Sequence, residues 1–225
     1  MRKFWGFYDN GTYRVGCNGS SIYVYDQNNK EINRFKDIKS AYVGVFQPGT
    51  NIFVAKSIEG LLAVYDFDRS LLLKKIVITK SIAQDQGITF SPDGKKLYNI
   101  EKPLRSTRTQ LTVYNTFDYT VLNTLFADEE QMHLECLEFS KDDEKAYILG
   151  FMRDESGIYE YGFIGRFSEE HIFEIKSLNK EQYTYIRSYK SWEQSGYTEK
   201  KLEWSCIKDY SEKPHVSLEQ VYKQL

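Results

Sequence analysis

Cysteine, proline and long apolar runs are all scarce in this chain of 225 residues, and each scarcity excludes something. The three cysteines, Cys17, Cys136 and Cys206, are far apart and odd in number, with no Cys-x-x-Cys pair. That pattern argues against a disulfide framework and a structural zinc site; it leaves cysteine as a small apolar residue in strands. Only four prolines occur, and no Pro-rich or Gly/Ser-rich linker divides the chain, so a single domain over 1–225 is expected. No window approaches the roughly 18 apolar residues that a bilayer span needs. The N-terminal apolar run stops at Asp9 and Asn10, too short for the core of a secretory leader. A cytoplasmic protein without membrane contact is expected.

Aromatic residues, by contrast, make up 16% of the chain, with 18 Tyr and 14 Phe. Such side chains suit the half-buried, pleated surface of a strand, so the surplus leans toward β structure. A turn signature follows an aromatic residue four times: Phe7-Tyr-Asp-Asn-Gly11, Phe46-Gln-Pro-Gly-Thr50, Phe90-Ser-Pro-Asp-Gly94 and Phe139-Ser-Lys-Asp-Asp143. Each precedes a second run of strand formers, and Asn-Gly or Pro-Asp-Gly supplies the backbone angles of a tight hairpin. Downstream, Val24-Tyr25-Asp26, Val64-Tyr65-Asp66 and Val113-Tyr114-Asn115 each close a third strand and lead into a fourth. In the fourth copy, which is degenerate, residues 158–167 and 171–175 take those places. Four strands in every 40 to 50 residues is the period of a propeller blade.

The run Phe90-Ser-Pro-Asp-Gly-Lys-Lys-Leu-Tyr98, preceded by Gly87-Ile88-Thr89, resembles the first hairpin of WD40-like and lactonase-like propeller blades. The resemblance extends over about residues 3–177. No Gly-His or Trp-Asp dipeptide ends a blade, so it implies the propeller and not the WD40 hydrogen-bonded tetrad, and it carries no family active site. The expected fold is an all-β propeller of about five four-stranded blades, at about 3–37, 40–78, 86–127, 132–177 and 181–225. The last blade reads as incomplete: strands over 183–189 and 201–207, then a long loop between them holding Trp192 and Tyr197. Ser217-Leu-Glu-Gln220 resembles a capping box for a short C-terminal helix, with a third strand as the alternative.

Chemistry is harder to find. The carboxylate pairs Glu129-Glu130, Asp142-Asp143 and Glu169-Glu170 fall in expected turns, and adjacent residues on a strand would point to opposite faces. His133 and Cys136, three apart on a strand, would also lie on opposite faces. No nucleophile elbow, Walker loop or dinucleotide fingerprint occurs, so no enzyme, metal site or cofactor is expected. Charge is more informative. Residues 69–108 hold nine Lys/Arg against three Asp/Glu, a balance of +6, while 128–160 hold three against eleven, a balance of −8. Mutual compensation between neighbouring blades is one reading, and a steering patch for a partner is the other.

Blade register places Lys102, Arg105 and Arg108, then Asp128, Glu129 and Glu130, then Arg153, Asp154 and Glu155, on loops of one rim. These are the candidate partner-binding residues; Trp192 and Tyr197 would lie on the opposite rim. The expectation is a non-catalytic protein-binding propeller, monomeric on its own. Its specific form is a bacterial toxin-neutralising (immunity) protein that masks a basic partner. The Asn-, Lys- and Tyr-rich composition suits a low-GC bacterial source. A small-ligand or carbohydrate-binding propeller is the alternative, with a hydrolase as a residual class. The sequence pI near 6.0 argues against nucleic acid.

Overall fold

The computed structural model describes residues 4–78, 87–106, 108–140, 145–168, 172–196 and 210–225, with backbone alone at 172 and 173. Among these residues, sixteen strands form four antiparallel sheets of four, each paired in chain order. The first contains β1 (Gly6–Asp9), β2 (Arg14–Cys17), β3 (Ile22–Tyr25) and β4 (Glu31–Phe35). The second contains β5 (Ala41–Phe46), β6 (Ile52–Ser57), β7 (Leu61–Asp66) and β8 (Leu71–Val77). The third is β9 (Ile88–Phe90), β10 (Lys96–Glu101), β11 (Gln110–Asn115) and β12 (Val121–Leu125). The fourth is β13 (Met132–Phe139), β14 (Ala146–Arg153), β15 (Tyr159–Phe167) and β16 (Ile172–Leu178).

Local chemistry explains the meander. In the Ser91–Gly94 turn, Gly94 takes a φ of 70° and donates its N–H to the Ser91 carbonyl at 2.9 Å. The Asp93 carboxylate there accepts from Ser91 Oγ at 2.6 Å. After each Val-Tyr-Asp/Asn motif the acid or amide bonds a backbone N–H of its own turn: Asp26 from Asn28, Asp66 from Arg69, Asn115 from Phe117. A left-handed residue follows every time, at Asn29, Ser70 and Tyr119. The third and fourth strands also slip register at the same motif step, between Val24 and Tyr25, Val64 and Tyr65, and Val113 and Tyr114. The degenerate fourth sheet repeats the slip between Arg166 and Phe167. The repeat is therefore one of backbone geometry as well as of letters.

The chain divides into two compact units: the described residues of Met1–Gln84 with Ser191–Glu212, and those of Asp85–Lys190 with Lys213–Leu225. The first unit packs Val15, Cys17, Ile22 and Val24 against Phe53, Ala55, Ala63 and Tyr65, with the Phe35 ring tilted against Tyr65 at a centroid distance of 4.6 Å. In this unit the Phe7 N–H reaches Ser195 O at 3.1 Å and Tyr8 Oη donates to Gln194 O at 3.1 Å. The second unit packs Tyr98, Ile100, Leu111 and Val113 against Leu134, Leu137, Ile148 and Phe163.

Four sheets stand where five blades were expected. Residues 183–189, expected as a strand, lie in helix α1 (Lys180–Gln194), which also takes in the start of the expected loop. The physical reason is spacing: Tyr183, Ile186 and Lys190 are buried at intervals of three and four, while Tyr185 and Arg187 are exposed. Asn179 and Gln182 cap the helix reciprocally, each side chain accepting the other's backbone N–H at 2.9 and 3.1 Å. Trp192 lies in α1 and is buried. The expected strand over 201–207 and Tyr197 fall outside the described residues. The C-terminal helix is present as α2 (Leu218–Gln224), with Ser217 Oγ accepting the Gln220 N–H. Among the described residues no helix is long and apolar enough to cross a membrane.

Candidate functional site

Three loops of the second unit meet at one edge, and the candidate residues ride on them. Leu134 N–H donates to Thr109 Oγ1 at 2.6 Å, which ties the β10–β11 loop to the start of β13. Arg153 N–H donates to Gln131 O at 2.8 Å, tying the end of β14 to the β12–β13 loop. Arg108 and Glu130 approach to 3.9 Å, and Glu130 is exposed enough that this pair is weak. Lys102, Arg105 and Arg108 lie on the β10–β11 loop, Asp128, Glu129 and Glu130 on the β12–β13 loop, Arg153 at the end of β14, and Asp154 and Glu155 in the turn that follows it.

Their side chains behave differently. Arg105 is exposed at a left-handed φ of 60°. Lys102 and Arg108 are half-buried. Arg153 turns inward: its guanidinium sits 5.2 Å from the Phe151 ring centre and 3.3 Å from His133 Nδ1. Asp128, Glu129, Glu130, Asp154 and Glu155 are all exposed. Asp154 caps its turn, accepting from the Ser156 hydroxyl (2.6 Å), the Ser156 N–H (2.9 Å) and the Ile158 N–H (2.9 Å). Those bonds, the Ser156 hydroxyl first, hold its carboxyl below the usual carboxylate range. The solvent face of these loops is therefore mainly anionic.

Sequence reasoning missed a second set of charges where the fourth sheet meets the helices, of which His133, Lys190 and Glu219 are buried. Glu135 is the extra residue of a bulge between Leu134 and Cys136. The bulge corrects the expected geometry: His133 pairs with Phe151 and Cys136 with Leu149, alternate residues of β14, so the two share a face. Glu135 Oε1 accepts from Tyr183 Oη at 2.9 Å and pairs with Arg187 Nε at 3.0 Å, with His133 Nε2 at 4.0 Å. Glu138 pairs with the buried Lys190 and accepts the Leu218 N–H at 3.4 Å. Ser140 Oγ donates to Glu219 at 2.7 Å. These acids fasten α1 and α2 onto β13. The legible signal was the run Glu135, Glu138 facing Arg187 and Lys190, together with the Asn179–Gln182 cap.

Other candidate chemistry disperses. Glu129-Glu130 lies in an exposed loop, while Asp142-Asp143 and Glu169-Glu170 fall outside the described residues. Buried Glu101 spends one carboxylate oxygen on Tyr114 Oη at 2.6 Å and Asn99 Nδ2 at 3.0 Å. In the first unit a concavity of about 310 Å³ is lined by Asn10, Thr12, Phe46, Gln47, Thr50 and Asn51. Its amides are largely committed to one another: Asn10 Nδ2 donates to Asn51 Oδ1 at 2.8 Å and to Thr50 O at 3.2 Å. No family model matches the chain, and no curated protein matches it.

Proposed function

We propose that this chain is a non-catalytic protein-binding module whose acidic loop edge engages a basic protein, in the manner of a toxin-neutralising immunity protein. We further propose that its four sheets are the blades of a propeller, a reading supported by their chain-order pairing and the recurring register slip. One observation carries the functional reading: Asp128, Glu129, Asp154 and Glu155 are exposed on adjoining loops that backbone hydrogen bonds hold together, while the arginine among them is turned inward. Charge fixed on a stiff scaffold steers a partner without an ordering cost at encounter.

The test is capture from native lysate at low salt, comparing the wild type with Asp128→Asn, Glu129→Gln, Asp154→Asn and Glu155→Gln combined. Asparagine at 154 keeps the oxygen that caps the turn. The expected result is a stoichiometric basic protein held by the wild type and lost from the variant. Equal capture by both, or no basic protein with either, would end the proposal. A carbohydrate-binding reading would rest on the 310 Å³ concavity, whose committed amides leave it the weaker of the two.

A further inference from the structure

The last strand of each sheet is an edge, and an edge offers unpaired N–H and C=O groups to any extended chain. Proteins guard such edges with charge, lysine above all. Three of the four follow that rule: β4 carries Glu31 and Arg34 in an ion pair at 2.7 Å, β8 carries Lys74 and Lys75, and β16 carries Glu174 and Lys176. β12 does not. Its residues Val121-Leu-Asn-Thr-Leu125 hold no charge and no proline, and the first four are exposed. Val121 is 56% and Leu122 52% accessible, and Phe117, in the turn before the strand, is 94% accessible. The register slip at Leu122 is shared by the other sheets and leaves Asn123–Leu125 regular. β12 then runs directly into Asp128, Glu129 and Glu130, and Asp118 stands at its start.

We propose that β12 is a docking edge for strand addition: an extended, basic segment of a protein partner adds as a fifth strand beside β12. Main-chain bonds to the open side of β12 would hold it, with its apolar side chains over Val121, Leu122 and Phe117. Its Lys or Arg residues would meet Asp128–Glu130 at one end, which selects a cationic segment over an anionic one. This inference rests on the acidic-edge reading above and adds the mode of binding.

The test uses the full chain and a synthetic peptide of alternating lysine and valine, with a glutamate–valine peptide as its counterpart, followed by amide NMR. Expected are shifts centred on Val121–Leu125 and an affinity at least about tenfold above that of the acidic peptide at low salt. Leu122→Lys and Thr124→Lys, both at exposed positions, should each weaken the basic peptide by about tenfold. Shifts elsewhere, equal affinity for both peptides, or unchanged binding in the lysine variants overturns strand addition. Binding that survives both lysine variants but vanishes when the four acidic loop residues are neutralised leaves the acidic-edge reading standing and sinks this one. Binding to β12 that is indifferent to those neutralisations refutes the charge reading and, with it, the selection of a basic segment proposed here. A concentration-dependent dimer in sedimentation, abolished by Leu122→Lys, would assign the edge to a second copy and also overturns the proposal.

Discussion

The ring of Tyr183 occupies the space over Gly162, where a Cβ would stand 2.5 Å from its atoms, and it packs near Tyr159 and Phe151 at 5.5 and 5.9 Å. Burial first, and then the adjacent Glu135 charge, push its hydroxyl well above the ordinary value of 10.0. A tyrosine raised in the folded state contributes stability that is whole below its unfolded value, about 10, and is lost as pH rises through the folded one. Alkaline unfolding followed by far-ultraviolet dichroism should therefore steepen above about pH 10. Tyr183→Phe should make that limb shallower, and an unaltered slope would remove Tyr183 as its source. This residue was legible as an aromatic and illegible as a helix anchor. Tyr183, Tyr185, Arg187 and Tyr189 alternate like a strand, and only the burial of Ile186 and Lys190 breaks the tie.

At the scale of elements, β13 decides where both helices sit. Lys190 is buried, and its charge is met by Glu138, which also accepts the Leu218 N–H at the start of α2. Removing one partner of a buried pair strands the other, at a cost of about 3 kcal/mol. Glu138→Ala should lower the unfolding free energy by that order, read from urea denaturation, while Glu138→Leu combined with Lys190→Met should recover most of it. A single mutant as stable as the wild type would show that the pair does not fasten the helices. The first hairpins of three sheets were readable because turn chemistry is local: Asn10-Gly11, Pro48-Gly49 and Pro92-Asp93-Gly94 set their own angles, while the matching turn of the fourth falls outside the described residues. The Glu135 bulge was not readable, because it is fixed by what covers the sheet and no turn residue announces it.

For the molecule as a whole, a net charge of −2 conceals segments of opposite sign, and among the described residues most exposed acids of the acidic one lie on two loops, at 128–130 and 154–155. A fluorescent octalysine peptide should bind at least about tenfold more weakly at 0.15 M salt than at 0.01 M, as the screening length falls from about 30 to 8 Å. The four-site neutralised variant should show a much flatter dependence; an identical one would place the attraction elsewhere. The sequence disclosed this polarity as a count, and the inward turn of Arg153 as nothing at all, since that depends on Phe151 and His133 arriving beside it. A last consequence follows from the bonds that Phe7 and Tyr8 make to Ser195 and Gln194. The Tyr8–Gln194 bond spans 186 residues, so β1 is completed by acceptors carried on a distant part of the chain. Losing the Gln194–Ser195 segment would therefore unsettle β1 as surely as it shortens α1.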